Sequence, residues 1–158
     1  MTLERKFKIF YSLIILLCLI SICYAFFVEY ILGYKPCILC NYQRVPYVLG
    51  LIIGLCGFFK HSNRKISIYI FLTFLTSMTL SGYHIGIEQE LYQSIFNCSD
   101  DNLSILEESK LLESLSVINP DCRNVNFAIF GVSLATINFV LSFVISSVSY
   151  YLYSNAKN

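Results

Sequence analysis

An all-α membrane protein, built as a four-transmembrane-helix bundle, is what three features of this sequence predict. Apolar residues gather in four long runs, at about residues 9–32, 42–59, 66–87 and 127–153, and about twenty apolar residues suffice for a helix to cross the hydrocarbon core of a bilayer. Charged residues make up only 13% of the 158 residues, against roughly a quarter in soluble domains, and the mean hydropathy is +0.65. Basic residues crowd one set of helix ends: Arg5, Lys6, Lys8, Lys60, Arg64, Lys65 and Lys157 lie on the terminal side, and only Lys35, Arg44, Lys110 and Arg123 on the other. The positive-inside rule then puts both termini in the cytoplasm. Residues 1–158 read as a single membrane domain with outer loops at about 33–41 and 88–126.

The first run follows Arg5, Lys6 and Lys8. It is longer than the 7–15 apolar residues of a signal-peptide core and has no Ala-x-Ala cleavage site, so a retained helix is expected. Glu29 falls near its far end and is expected in the interface. The second run is short and is read from about Tyr42, or from nearer Cys40, with Pro46 in its first turns, where a proline is tolerated. Gly50 and Gly54 form a small-xxx-small pair that lets another helix approach. A basic turn, residues 60–65, leads to the third run, which carries Gly82, His84 and Gly86. From Glu88 to Asn126 the chain turns polar and acidic. Within it, residues 101–118 read as a short amphipathic helix: Ser104 with Glu107 matches a capping box, Ile105, Leu106, Leu111, Leu112, Leu115 and Ile118 share a face, and Asn119-Pro120 stops it. Such a helix lies flat on the bilayer or packs on the bundle end. The fourth run is rich in Ser and Phe.

This topology sorts the seven cysteines. Cys18, Cys23 and Cys56 fall within spans and read as small apolar core residues. Cys37, Cys40, Cys98 and Cys122 fall on the outer, disulfide-permissive face. Cys37 and Cys40 form a Cys-x-x-Cys pair at a helix start, where the positive end of the helix dipole favours a thiolate. If the helix already runs through Cys40, Arg44 lies one turn on and its guanidinium favours a Cys40 thiolate or a negative oxygen on a partner. Cys98 and Cys122 sit in an aqueous loop that a soluble protein can reach. A fixed pair at the membrane edge and a reachable pair in a loop suggest a relay of dithiols. Two structural disulfides are the plainer alternative. A zinc site is not expected, because Cys98 and Cys122 lack knuckle partners. Haem attachment is excluded by Asn41, which stands where a His is required. The net charge of +1 carries no sign of nucleic acid. His84, inside a span, is a functional candidate by position.

Pro36-Cys37-Ile38-Leu39-Cys40 with Tyr42-Gln43-Arg44, the segment Tyr83-His84-Ile85-Gly86-Ile87-Glu88, four spans and the later cysteine pair together resemble the DsbB (disulfide bond formation protein B) family. The resemblance covers nearly the whole chain. It implies an inner-membrane thiol oxidoreductase that reoxidises a periplasmic thioredoxin-like, DsbA-like thiol oxidase and passes the electrons to the membrane quinone pool, ubiquinone or menaquinone. It implies that Cys98 takes the mixed disulfide with the partner and that Cys122 is its disulfide mate. It further implies that Cys37 and Cys40 receive the electrons, with Cys40 beside the quinone, and that Arg44 binds and polarises the quinone. His84 is the second candidate quinone-binding residue. Departures are Gln43, where some members carry an acidic residue, Pro46, the absence of Trp, and a shorter, more acidic loop. A quinone also suits the energetics: a disulfide at −270 mV faces roughly 7 kcal/mol in reoxidising a partner near −120 mV. Vitamin K epoxide reductase-like proteins share the four-helix logic, but their loop cysteines precede the membrane pair, whereas Cys98 and Cys122 follow it. A non-enzymatic membrane scaffold with structural disulfides is the other rival.

Overall fold

The structure, a computed structural model, describes residues 3–60, 64–91, 128–129 and 132–155. Four helices long and apolar enough to cross a membrane run up and down the bundle. Helix α1 spans Leu3–Phe26 and continues into a π turn at Phe27–Ile31. Helix α2 spans Ile38–Phe59, α3 Arg64–Glu88, and α4 Leu134–Asn155. Only 22–33% of each apolar window is buried inside the protein. The remaining apolar surface, including Leu13, Leu16, Ile20, Leu72 and Phe143, points outward, which is stable when the surroundings are lipid. This is a four-helix membrane bundle.

Helices neighbouring in the chain pack together, α1 on α2, α2 on α3 and α3 on α4, whereas among the described residues α1 and α4 make no comparable contact. The main core lies toward the end where α1 and α3 begin. Phe7, Tyr11, Ile14 and Cys18 of α1 meet Tyr47 of α2, Ile70 and Phe74 of α3 and Ile145 of α4. The small residues of α2 permit this approach. A Cβ on Gly57 would lie 3.0 Å from the buried Tyr11 ring; of the expected small-xxx-small pair, one on Gly50 would lie 3.0 Å from the Phe74 ring and one on Gly54 3.2 Å from Ile15. Helices α3 and α4 carry buried serines, among them Ser77, Ser81, Ser142, Ser146 and Ser149, small enough for two backbones to come close, and Ser142 Oγ donates to Ser77 Oγ across the two helices at 3.0 Å. Of the three cysteines expected in the core, only Cys18 is there; Cys23 and Cys56 face outward.

Helix boundaries differ from the hydropathy reading where polar residues cap the ends. Helix α2 begins at Ile38, because Cys37 serves as its N-cap, so Pro46 lies two turns inside the helix and is buried there. The last helix begins at Leu134 rather than near residue 127. Ser133 stops its first turn: the Ser133 hydroxyl accepts the Thr136 N–H at 3.3 Å, an N-cap bond. Ala128–Ile129 and Val132–Ser133 pair antiparallel just before it. The amphipathic helix expected at 101–118 lies outside the described residues.

Candidate functional site

The site is built around the start of α2. Pro36 and Cys37 approach in extended conformation, Cys37 with φ −69° and ψ 169°. The Cys40 N–H donates to Cys37 Sγ at 3.4 Å, so the thiol does the work of a capping hydroxyl. The first helical turn then brings the two sulfurs to 3.0 Å. Cys37 is 4% exposed and packs with Leu39 and Ile87, flanked by Tyr83. Both sulfurs stand at the positive end of the α2 dipole.

Helix α3 brings His84 to this pair, with Nε2 3.7 Å from Cys37 Sγ and 3.7 Å from Glu88 Oε1. Behind the imidazole runs a buried amide chain. Gln43 Nε2 lies 3.0 Å from His84 Nδ1, and Asn138 Nδ2 donates to Gln43 Oε1 at 3.0 Å. The Tyr47 hydroxyl donates to Asn138 Oδ1 at 2.6 Å, with Ser142 Oγ 3.2 Å from the same oxygen. Each of these side chains is buried, and each polar atom named finds a partner, which is what a water-poor interior demands. Cys37, Cys40 and His84 place three metal-donor atoms within 4.8 Å of one another. A cation would need the bare lone pair of His84 Nε2, and metal-binding histidines donate their other N–H to an acceptor. Here the Gln43 amide nitrogen lies 3.0 Å from Nδ1, and Nε2 is the ring nitrogen turned toward Cys37.

Arg44 is one turn beyond Cys40, but its guanidinium turns toward α1. It pairs with Glu29, donates to the Ala25 carbonyl at 3.5 Å and lies 5.4 Å from the centre of the Phe26 ring. Glu29 belongs to the π turn; the Leu32 N–H reaches back five residues to the Phe27 carbonyl at 3.2 Å. Such wide turns recur at functional sites. The sequence reading placed Glu29 in the interface; its side chain is 24% exposed and ion-paired to Arg44 of α2.

Bordered by α1 and α4, which share few contacts among the described residues, lies a pocket of about 440 Å³. Its walls are apolar residues such as Ile20, Val28, Leu134 and Leu141, and Cys37, Cys40, Arg44 and His84 all line it. Four of the six candidates from the sequence therefore share one cavity. The other two, Cys98 and Cys122, lie outside the described residues. Asn138 and Gln43 were missed. Asn138 carried a signal, a lone amide between Ile137 and Phe139 inside an apolar span, the placement that marks polar function in membranes.

The family profile described as "Disulfide bond formation protein DsbB" matches residues 7–152. The chain belongs to the DsbB family. It is 29% identical over 145 residues to the uncharacterized protein RP370 of Rickettsia prowazekii, covering 88% of this chain and 83% of that one. It is 27% identical over 128 residues to the disulfide bond formation protein B of Xylella fastidiosa strain 9a5c, covering 75% and 73%. It is 28% identical over 120 residues to that of Hahella chejuensis, covering 70% and 72%. DsbB membership and the four apolar helices make the protein a multi-pass membrane protein of disulfide bond formation, with a disulfide oxidoreductase as its enzyme class.

Proposed function

We propose that the protein reoxidises a periplasmic, DsbA-like dithiol and passes the electrons to a membrane quinone, ubiquinone or menaquinone. The observation that carries this reading is that the Cys37–Cys40 pair faces an apolar cavity bordered by α1 and α4, which share few contacts among the described residues. A water-borne acceptor has no use for such a cleft, whereas a lipid-soluble ring reaches it sideways from the bilayer. The residues fit a quinone: apolar walls for the ring, and the Arg44 guanidinium near the thiols for an oxygen that gains negative charge. A bound quinone supplies an acceptor for two electrons and two protons.

The chain's own part is dithiol exchange. The partner's thiolate attacks the Cys98–Cys122 disulfide at Cys98. Cys122 leaves as a thiolate and opens the Cys37–Cys40 disulfide, forming a disulfide with one of that pair and freeing the other sulfur. The partner's second thiol then displaces Cys98 and closes the partner's own disulfide. Cys98 in turn closes on Cys122, which leaves Cys37 and Cys40 as the reduced pair. When Cys37 and Cys40 close again they release two electrons and two protons into the cleft, and the helix dipole at the start of α2 stabilises whichever sulfur is thiolate in between. The basic residues at the far ends of the helices support an inner-membrane orientation with cytoplasmic termini and periplasmic cysteine loops.

The partner half is tested by trapping. The full-length protein in detergent is mixed with a reduced thioredoxin-like thiol oxidase that keeps only its first active-site cysteine. The expected product is a mixed disulfide on non-reducing gels that maps to Cys98 and is absent in Cys98→Ala. An adduct that persists in Cys98→Ala, or none with any such partner, would overturn the reading.

A further inference from the structure

We propose that Gln43 and Asn138 are positioning residues that act through His84, holding its hydrogen on Nε2 and aimed at the sulfur of Cys37, so that this sulfur is held as the thiolate whenever the pair is reduced. The inference rests on the reading that Cys37 and Cys40 are the working dithiol.

The direction of the hydrogen-bond chain is set at its far end. The Tyr47 phenol lies 2.6 Å from Asn138 Oδ1, and the Ser142 and Ser77 hydroxyls lie 3.2 Å and 3.4 Å from the same oxygen. A carbonyl oxygen can accept from all three hydroxyls, whereas an NH₂ has two hydrogens to share among three; the carbonyl placement fits the contacts and turns Asn138 Nδ2 toward Gln43 Oε1. Gln43 then has only its NH₂ left for His84, and it sits 3.0 Å from Nδ1. A neutral imidazole that accepts at Nδ1 must donate from Nε2. Two acceptors stand 3.7 Å from Nε2: Cys37 Sγ, a distance within reach of an N–H···S bond, and Glu88 Oε1, for which 3.7 Å is longer than an N–H···O bond. Helices α4, α2 and α3 each supply one link, so the tautomer is a property of the assembled bundle.

The chemistry gives this donor a use. Closing the pair converts two thiols to a disulfide with loss of two electrons and two protons, and the sulfur that attacks must first be a thiolate. A hydrogen bond to a charged acceptor is about twice as strong as a neutral one, so the Nε2–H favours thiolate over thiol at Cys37. The charged groups facing the pair are Glu88 from α3, Arg44 from α2 with Glu29 from the π turn, and Lys35 from the connecting loop. The remaining ionisable neighbours are Cys40 and the phenols of Tyr24, Tyr34, Tyr47 and Tyr83. Among the described residues, α4 contributes Asn138 to the pocket and no ionisable group.

The test is the pH profile of Cys37 alkylation by iodoacetamide in the full-length, fully reduced, quinone-free protein, with the modified cysteine located by mass spectrometry. Gln43→Leu and Asn138→Ala remove links of the chain and are expected to slow Cys37 alkylation at neutral pH about tenfold and to move its midpoint upward. Gln43→Glu is close to isosteric and its carboxylate holds a proton on Nδ1 while Nε2 keeps its own, so its midpoint is expected to move the other way, downward. A merely structural role does not reverse sign between Leu and Glu. Unchanged midpoints in variants that remain folded, or shifts of the same sign for Leu and Glu, would overturn the proposal. The readout involves no quinone. Wild-type protein that fails to reduce quinone while the alkylation shifts appear would count against the proposed function and not against this inference.

Discussion

Removing the charge of Glu29 should release Arg44 from α1, and the size of the effect follows from the geometry. Glu29 and Arg44 have side chains 24% and 22% exposed and are in direct hydrogen-bonded contact. Unit charges about 4 Å apart attract by about 4 kcal/mol at an effective dielectric of 20, and solvent screening at this exposure brings the coupling down to about 1–2 kcal/mol. Arg44→Gln alone also gives up the contact with the Phe26 ring, adding about 0.5–1 kcal/mol, and leaves a half-buried carboxylate without its cation. The assay is a double-mutant cycle with Glu29→Gln, Arg44→Gln and the double variant, read as unfolding free energy in mixed micelles. The single losses should sum to more than the double loss by the coupling energy. If the two substitutions add within a few tenths of a kcal/mol, the ion pair is not a structural tie. Among the described residues, Arg44 would then be held only by the Ala25 carbonyl and the Phe26 ring.

Three further outcomes follow from the same geometry. Gly57→Ala should lower stability by about 1–3 kcal/mol, seen as a lower melting temperature in detergent, because the added Cβ lands 3.0 Å from a fully buried Tyr11 ring. Asn138→Leu should destabilise the bundle by about 1–3 kcal/mol, since it strips partners from Tyr47 and Gln43 inside the protein; thermal unfolding equal to that of the unsubstituted chain would refute this. Cys18→Ala, Cys23→Ala and Cys56→Ala should retain turnover, whereas Cys37→Ala should lose it while still assembling. Dithiol consumption measured for each variant separates relay cysteines from packing ones.

The four helices were legible because bilayer crossing imposes one length and one polarity on each, and the apolar runs recorded both. The start of α2 was legible in part. Its thiol N-cap was hidden because cysteine is a rare cap, so hydropathy pointed to Tyr42. The start of α4 was misplaced because the apolar run from residue 127 does not distinguish a short strand pair from a helix, and only the Ser133 cap does. The cavity was beyond reach, since it depends on which helices share few contacts. Arg44 was singled out and lines the cavity, but its Glu29 partner lies fifteen residues away across a wide turn that no local pattern announces. His84 was flagged by its place near the outer end of a span. What it touches could not be read, because Gln43 and Asn138 come from two other helices.

The most direct test of the central claim is anaerobic quinone reduction by the purified protein, fed by a reduced thioredoxin-like thiol oxidase, with Cys40→Ala alongside. The account predicts one quinone reduced for every two thiols consumed, and no reduction in Cys40→Ala. Thiol oxidation without quinone consumption, or full activity in Cys40→Ala, would contradict it.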